Sequence, residues 1–167
     1  MTITPEIIQQ AEELLALYRR FRLTLATVES CTGGLAAGAL TAIPGSSDVV
    51  DRAWVTYSNR AKHEMVGVPK ETLERFGAVS EQTARAMAVG ALSRCPANVT
   101  VAITGIAGPG GGTEDKPVGL VHFAAAREGR ETLHVERRFG EESSRDAIRA
   151  ASVLQAFELL REMAVAD

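Results

Sequence analysis

Between an apolar strand signal at Leu23–Val28 and an Ala-rich helix signal at Leu35–Ile43 lies Glu29-Ser30-Cys31-Thr32-Gly33-Gly34. Two hydroxyls and a thiol thus sit together where a strand turns into a helix. A helix start presents unpaired backbone N–H groups and the positive end of its dipole. Such a turn suits an anion, or a nucleophile attacking a group that becomes an anion. Ser30 and Cys31 both qualify as that nucleophile, since a helix N-terminus lowers a thiol pKa. Adjacent residues on an extended strand end point to opposite sides, so only one of the two is expected to face a substrate. The plain alternative is helix capping, the usual role of Ser or Thr at this position.

Two further segments carry polar side chains to strand ends. In Tyr57-Ser58-Asn59-Arg60-Ala61-Lys62 a strand-end tyrosine and a lysine about one helical turn further on can project into one cleft. A lysine is a base only when neutral, which requires burial or nearby positive charge; otherwise it is a solvated surface charge. Thr104-Gly105-Ile106-Ala107-Gly108-Pro109-Gly110-Gly111-Gly112-Thr113 follows a buried strand, and its glycines let the backbone approach a ligand closely. It lacks the Gly-Lys-Ser/Thr end of a Walker A loop and leads to a strand, not to the helix of a dinucleotide fingerprint. The alternative is a mobile surface loop. Arg145 and Arg149, one turn apart on the last predicted helix, can clamp an anion or pair with Glu141 and Glu142. Metal ligation finds no pattern: His63, His122 and His134 are scattered, and Gly67 stands where His63-Glu64 would need a second His.

The elements that must position these residues follow from periodicity. Thr4-Pro5 starts a helix with Ile7, Ile8, Ala11, Leu14, Leu15 and Tyr18 on one face. Ala53–Tyr57 reads as a second strand, followed by a helix holding Lys62 and a short helix at Pro69–Phe76. Ser80 caps a helix to about Arg94, and Val99–Ile103 reads as a strand buried on both faces. Val118–Ala126 and Thr132–Phe139 read as a hairpin, and Ser143 as the cap of a long final helix. The alternation predicts an α/β fold, a three-layer α/β/α sandwich on a mixed β-sheet, with a single domain over residues 1–167.

A formal charge of −3 and a pI near 5.7 give no electrostatic case for nucleic acid or an anionic membrane as partner. No apolar run approaches the ~20 residues of a membrane span. Cys31 and Cys95 are too few for a disulfide framework, so a reduced, cytoplasmic protein is expected. The Ala-rich helix is compatible with a homo-oligomer.

Taken in order, the Glu29–Gly34 turn, Thr56-Tyr57-Ser58-Asn59 with Lys62, Thr104–Pro109 and Lys116-Pro117-Val118-Gly119 resemble one family from about Glu6 to Leu160. It is the C-terminal domain family of the competence/damage-inducible protein CinA, whose stand-alone members are nicotinamide-nucleotide amidases. A chain of this length is expected to be the stand-alone form, without the extra N-terminal domain of longer members. The resemblance implies hydrolysis of the carboxamide of nicotinamide mononucleotide to nicotinic acid mononucleotide and ammonia, a pyridine-nucleotide salvage step. It implies Ser30 as nucleophile, Lys62 as its base and Tyr57 in the same hydrogen-bond network. An amide is a poor electrophile, and without visible metal ligands the covalent route is the expected one, with no cofactor. Substrate contacts are expected from Cys31, Thr32, Gly33 and Gly34, and the N–H groups around Thr32 to Gly34, or that of Gly105, can hold the oxyanion. The 5′-phosphate is assigned to Arg145 with Thr104 and Gly105, the Gly108–Thr113 amides being the alternative. The family's name admits a second reading, a non-catalytic nucleotide-binding or regulatory module linked to competence or DNA damage.

Overall fold

The computed structural model describes residues 3–165. Helix α1 (Pro5–Phe21) begins where the Thr4 hydroxyl accepts the Ile7 N–H at 3.2 Å and Pro5 occupies the first helical position, as the sequence predicts. Its stripe of Ile7, Ala11, Leu14, Leu15 and Tyr18 is buried against the last helix, α6 (Arg145–Val165), where the Tyr18 hydroxyl donates to the Leu160 carbonyl at 2.8 Å.

The sheet has five strands: β1 (Leu25–Glu29), β2 (Val50–Val55), β3 (Val99–Gly105), β4 (Leu120–Arg127) and β5 (Leu133–Arg138), in spatial order β2-β1-β3-β4-β5. β1 runs parallel to both β2 and β3, and the β3–β4 and β4–β5 pairs are antiparallel. The sheet is therefore mixed. Helices α1, α2 (Leu35–Thr41) and α6 cover one face over a core containing Leu14, Ile103, Phe123 and Phe157. Helix α5 (Glu81–Leu92) covers the other through Ala84, Met87 and Ala88 against Val28, Ala102 and Ala124. β1 is buried along its whole length, and β3 along all but its last residue, which explains their near-continuous apolar sequence. The fold is the α/β sandwich that the alternation of elements predicts. Two short helices, α3 (Asn59–Val66) and α4 (Lys70–Phe76), lie between β2 and α5. Among the described residues no helix is long and apolar enough to cross a membrane.

Three local expectations need correction. The second strand ends at Val55, and Thr56-Tyr57 leave the sheet because Ser58 caps α3, accepting the Ala61 N–H at 2.9 Å. The final helix is capped by Ser144, whose Oγ accepts the Ala147 N–H at 3.1 Å, while the Ser143 hydroxyl donates to the Phe139 carbonyl. His122 and His134 are not scattered: β4–β5 pairing sets His134 opposite Ala124, on the same face as His122. His122 Nδ1 lies 2.9 Å from His134 Nε2, with Glu136 3.6 Å from His122 and Glu81 3.7 Å from His134.

Burial, reinforced for His122 by the charge of its neighbour, holds both imidazole pKa values below the ordinary 6.5. The unfolded chain then binds protons more readily than the folded one. The stability contributed is complete above about pH 6.5 and is lost as pH falls towards the folded values. We expect the urea midpoint of the wild type to fall between pH 7.5 and 5, and His134→Gln to flatten that decline. Equal slopes in both proteins would assign the acid sensitivity elsewhere.

Candidate active site

Strand register assembles the site. Glu29 pairs with Val55 on one side and Ile103 on the other, so β1 and β2 end side by side next to β3, which runs on to Gly105. Beyond that level the Ser30 N–H donates to the Ile103 carbonyl and the Thr56 N–H to the Glu29 carbonyl, both at 2.9 Å. Ser30 therefore stands between Thr56-Tyr57 and Thr104-Gly105, at the carboxyl ends of the parallel strands, where ligands of open α/β sheets collect. Gly105 is required there: a Cβ would lie 2.6 Å from Val121 Cγ2 and 2.8 Å from the Leu120 carbonyl oxygen.

Lys62 sits one turn into α3 and folds back under the Ser30 hydroxyl. The residue is only 1% exposed, and its Nζ lies 3.0 Å from Ser30 Oγ, 2.9 Å from the Thr56 carbonyl oxygen and 3.3 Å from that of Tyr57. No carboxylate pairs with it among the described residues. Burial of the charge therefore lowers its pKa from 10.5 to about 8. A neutral amine has two N–H bonds and one lone pair. With the two carbonyls taking the N–H bonds, the lone pair is left for the Ser30 hydroxyl proton.

A cleft of about 280 Å³ opens over this pair. Its walls bring together Ser30, Cys31, Tyr57, Lys62, Thr104, Gly105, Gly108 and Arg145 of the residues singled out from the sequence. It also takes in Ala78 and Val79 from the segment before α5, which carry no chemical signal in the sequence. Tyr57 is 62% exposed at the mouth. Its carbonyl, not its hydroxyl, faces Lys62 and lies 3.5 Å from Ser30 Oγ. The Tyr57 hydroxyl instead accepts from Arg145 Nη2 at 3.3 Å, and Arg145 Nη1 donates to the Gly108 carbonyl at 2.8 Å. Thr104 commits its hydroxyl proton to the Ala78 carbonyl at 2.8 Å.

Thr32, Gly33 and Gly34 form the back of the turn and do not line the cleft. Thr32 is fully buried and does not cap α2; the capping position is Gly34, at φ +98, with no side-chain bond. The helix start is satisfied by Glu29. Its Oε1 accepts the Thr32 hydroxyl (2.7 Å) and the Ala36 N–H (2.9 Å), and its Oε2 accepts the Thr27 hydroxyl (3.0 Å) and the Ala37 N–H (3.1 Å). Four donors fill the acceptor capacity of an ionised carboxylate. A glutamine would turn an NH2 group towards at least one backbone N–H, which cannot reverse its role as a hydroxyl can. Glu29→Gln is expected to lower stability by about 3 kcal/mol, read as a shift in urea midpoint. A loss under ~0.5 kcal/mol would show that the four contacts do not anchor the turn.

Cys31 borders the cleft but belongs to the apolar core, 7% exposed, and burial pushes its thiol pKa up to about 12. A thiol so placed holds a negligible thiolate fraction at neutral pH. Arg149 does not join Arg145 as a clamp. It binds the outside of the turn, donating from Nε to the Cys31 carbonyl (3.2 Å) and from Nη2 to the Thr32 carbonyl (3.1 Å).

Known proteins share both the sequence and this architecture. A CinA-like protein of Synechococcus sp. (strain RCC307) is 50% identical over 151 residues, covering 90% of this chain and 36% of the relative. One of Gloeobacter violaceus is 50% identical over 146 residues, 87% of this chain and 34% of the relative. The chain thus spans about a third of the length of these curated relatives. The crystal structure of competence/damage inducible protein CihA from Agrobacterium tumefaciens superposes with a TM-score of 0.93 at 52% identity, over 98% of this chain and 99% of that one. A CinA superfamily protein from Escherichia coli gives 0.88 at 33% identity, over 98% and 94%. Residues 8–164 match the CinA C-terminal domain, and the chain belongs to that family.

Proposed function

We propose that the chain is a nicotinamide-nucleotide amidase, hydrolysing the carboxamide of nicotinamide mononucleotide to nicotinic acid mononucleotide and ammonia through an acyl-Ser30 intermediate. One observation carries this reading: a buried lysine without a carboxylate partner among the described residues, 3.0 Å from a serine hydroxyl at the floor of a cleft. Neutral Lys62 takes the Ser30 proton as Oγ attacks the amide carbon. Backbone N–H groups of the Ser30 turn hold the oxyanion. The tetrahedral adduct then collapses, the C–N bond breaks, and the lysinium proton leaves with ammonia. Water, deprotonated by the same amine, attacks the ester and restores Ser30.

The lining supports an anionic substrate, since Lys62 and Arg145 are its charged members and no carboxylate lies among them. Thr104 is committed to Ala78, so the phosphate falls to Arg145 and to the amides around Gly108–Gly111. The exposed Tyr57 ring offers a face for the pyridine.

A second reading is a nucleotide-binding or regulatory module without turnover. The names of the solved relatives support it, because they speak of competence and damage and not of amide hydrolysis. Ammonia release from nicotinamide mononucleotide, measured alongside calorimetric binding, separates the two. Stoichiometric binding with no ammonia between pH 6 and 9 would favour the module and overturn the amidase.

A further inference from the structure

The turn that carries Ser30 is held by an arginine that the chemistry above leaves unused. Arg149 reaches from α6 to the two consecutive carbonyls of Cys31 and Thr32, at 3.2 and 3.1 Å. Its guanidinium is a rigid planar fork, so two bonds to neighbouring carbonyls fix the planes of both peptide groups together. In a trans peptide the C=O and N–H point in opposite directions. Binding the Cys31 carbonyl therefore turns the Thr32 N–H away from Arg149. Binding the Thr32 carbonyl fixes the Gly33 N–H, which donates to the Ser30 carbonyl at 3.0 Å and so sets the plane bearing the Cys31 N–H. The Cys31 and Thr32 N–H groups donate to no other residue among those described. On the far side the Thr32 hydroxyl is tied to Glu29 at 2.7 Å, so the turn is braced from both directions. A carbonyl bound by a full positive charge also makes the N–H of its own peptide group a stronger donor.

We propose that Arg149 is a positioning residue that orients the Cys31 N–H, the turn amide that borders the cleft, to receive the oxyanion formed when Ser30 attacks. It rests on Ser30 being the nucleophile, not on the identity of the amide. Arg149 does not line the cleft, so its contribution belongs to the transition state and not to ground-state binding.

The test uses two probes on wild type, Arg149→Met and Arg149→Lys. The first is the labelling rate of Ser30 by a fluorophosphonate, followed by peptide mass spectrometry. In that step the Ser30 Oγ–P bond forms, the P–F bond breaks with loss of fluoride, and Lys62 takes the serine proton. The second is steady-state hydrolysis of nicotinamide mononucleotide. Arg149→Met is expected to slow labelling and kcat by about 30-fold or more, with KM within about threefold of wild type. Arg149→Lys, which keeps the charge but not the fork, should recover part of both rates. If Arg149→Met fails to fold, Arg149→Lys decides by the same split. Labelling within about threefold of wild type, or an effect confined to KM, would overturn the proposal. Wild-type labelling at Ser30 without ammonia release would refute the amidase, while the labelling ratio still decides the role of Arg149.

Discussion

Ser30→Ala is expected to lower ammonia release from nicotinamide mononucleotide by about 10⁴-fold or more while leaving the protein folded. The Ser30 hydroxyl contributes little to the fold, meeting Lys62 at 3.0 Å and the Tyr57 carbonyl at 3.5 Å. Its backbone bond to Ile103 survives the substitution. Without the hydroxyl there is no acyl acceptor, because the neighbouring thiol is held protonated by burial. Cys31→Ala supplies the control. It should keep activity within a few-fold of wild type and lower stability by about 1 kcal/mol through lost core packing. Turnover that survives Ser30→Ala but disappears in Cys31→Ala would reverse the assignment.

Lys62→Met is expected to reduce kcat/KM by about 10²- to 10⁴-fold, the range of a lost general base. Its effect on stability runs the other way. The folded pKa of about 8 lies below the ordinary 10.5, so the unfolded chain binds the proton more tightly. Burying the charged amine opposes folding below pH 8, and stability recovers as pH rises from about 8 towards 10.5. At about 1.4 kcal/mol per pKa unit, methionine removes a penalty of roughly 3 to 3.5 kcal/mol. It also strips the Thr56 and Tyr57 carbonyls of a donor, at about 1 kcal/mol each. The net expectation is an inactive protein as stable as wild type, or more stable by up to about 2 kcal/mol. A loss of more than about 2 kcal/mol would mean that the ammonium is stabilising where it lies, and is not primed to be neutral.

The layers of the fold were legible because their signals are local and mutually consistent. Short apolar runs at Leu23–Val28 and Val99–Ile103 read as strands, the second of the kind covered on both faces, and the helices between them supply the covers. Ser30 and Gly105 were legible for a related reason, since turn chemistry at the ends of such strands points to a ligand site. Lys62 was legible in spacing but not in state. Its neighbours Arg60 and Glu64 are charged, and nothing in that stretch of sequence says that α3 folds its lysine beneath Ser30. Other features depend on contacts between residues far apart in sequence. Arg149 meets Cys31 across 118 positions, and the His122–His134 pair exists only in the β4–β5 register. The Glu29 cap escapes local patterns too, because its carboxylate reaches Ala36 and Ala37 from the preceding strand, where capping rules look for Ser or Thr. Tyr57 shares the cleft with Lys62, but that its backbone carbonyl and not its phenol faces the Ser30–Lys62 pair is a matter of side-chain direction that sequence does not carry.

The pH dependence of kcat/KM for ammonia release from nicotinamide mononucleotide bears most directly on a Ser30–Lys62 amidase. At pH 7 a lysine of pKa about 8 is neutral in about one molecule in ten, so the rate should climb nearly tenfold per unit from pH 6 and level off just above 8. Activity that is flat across pH 6 to 9 would contradict a base role for Lys62, and the absence of ammonia at every pH would contradict the amidase itself.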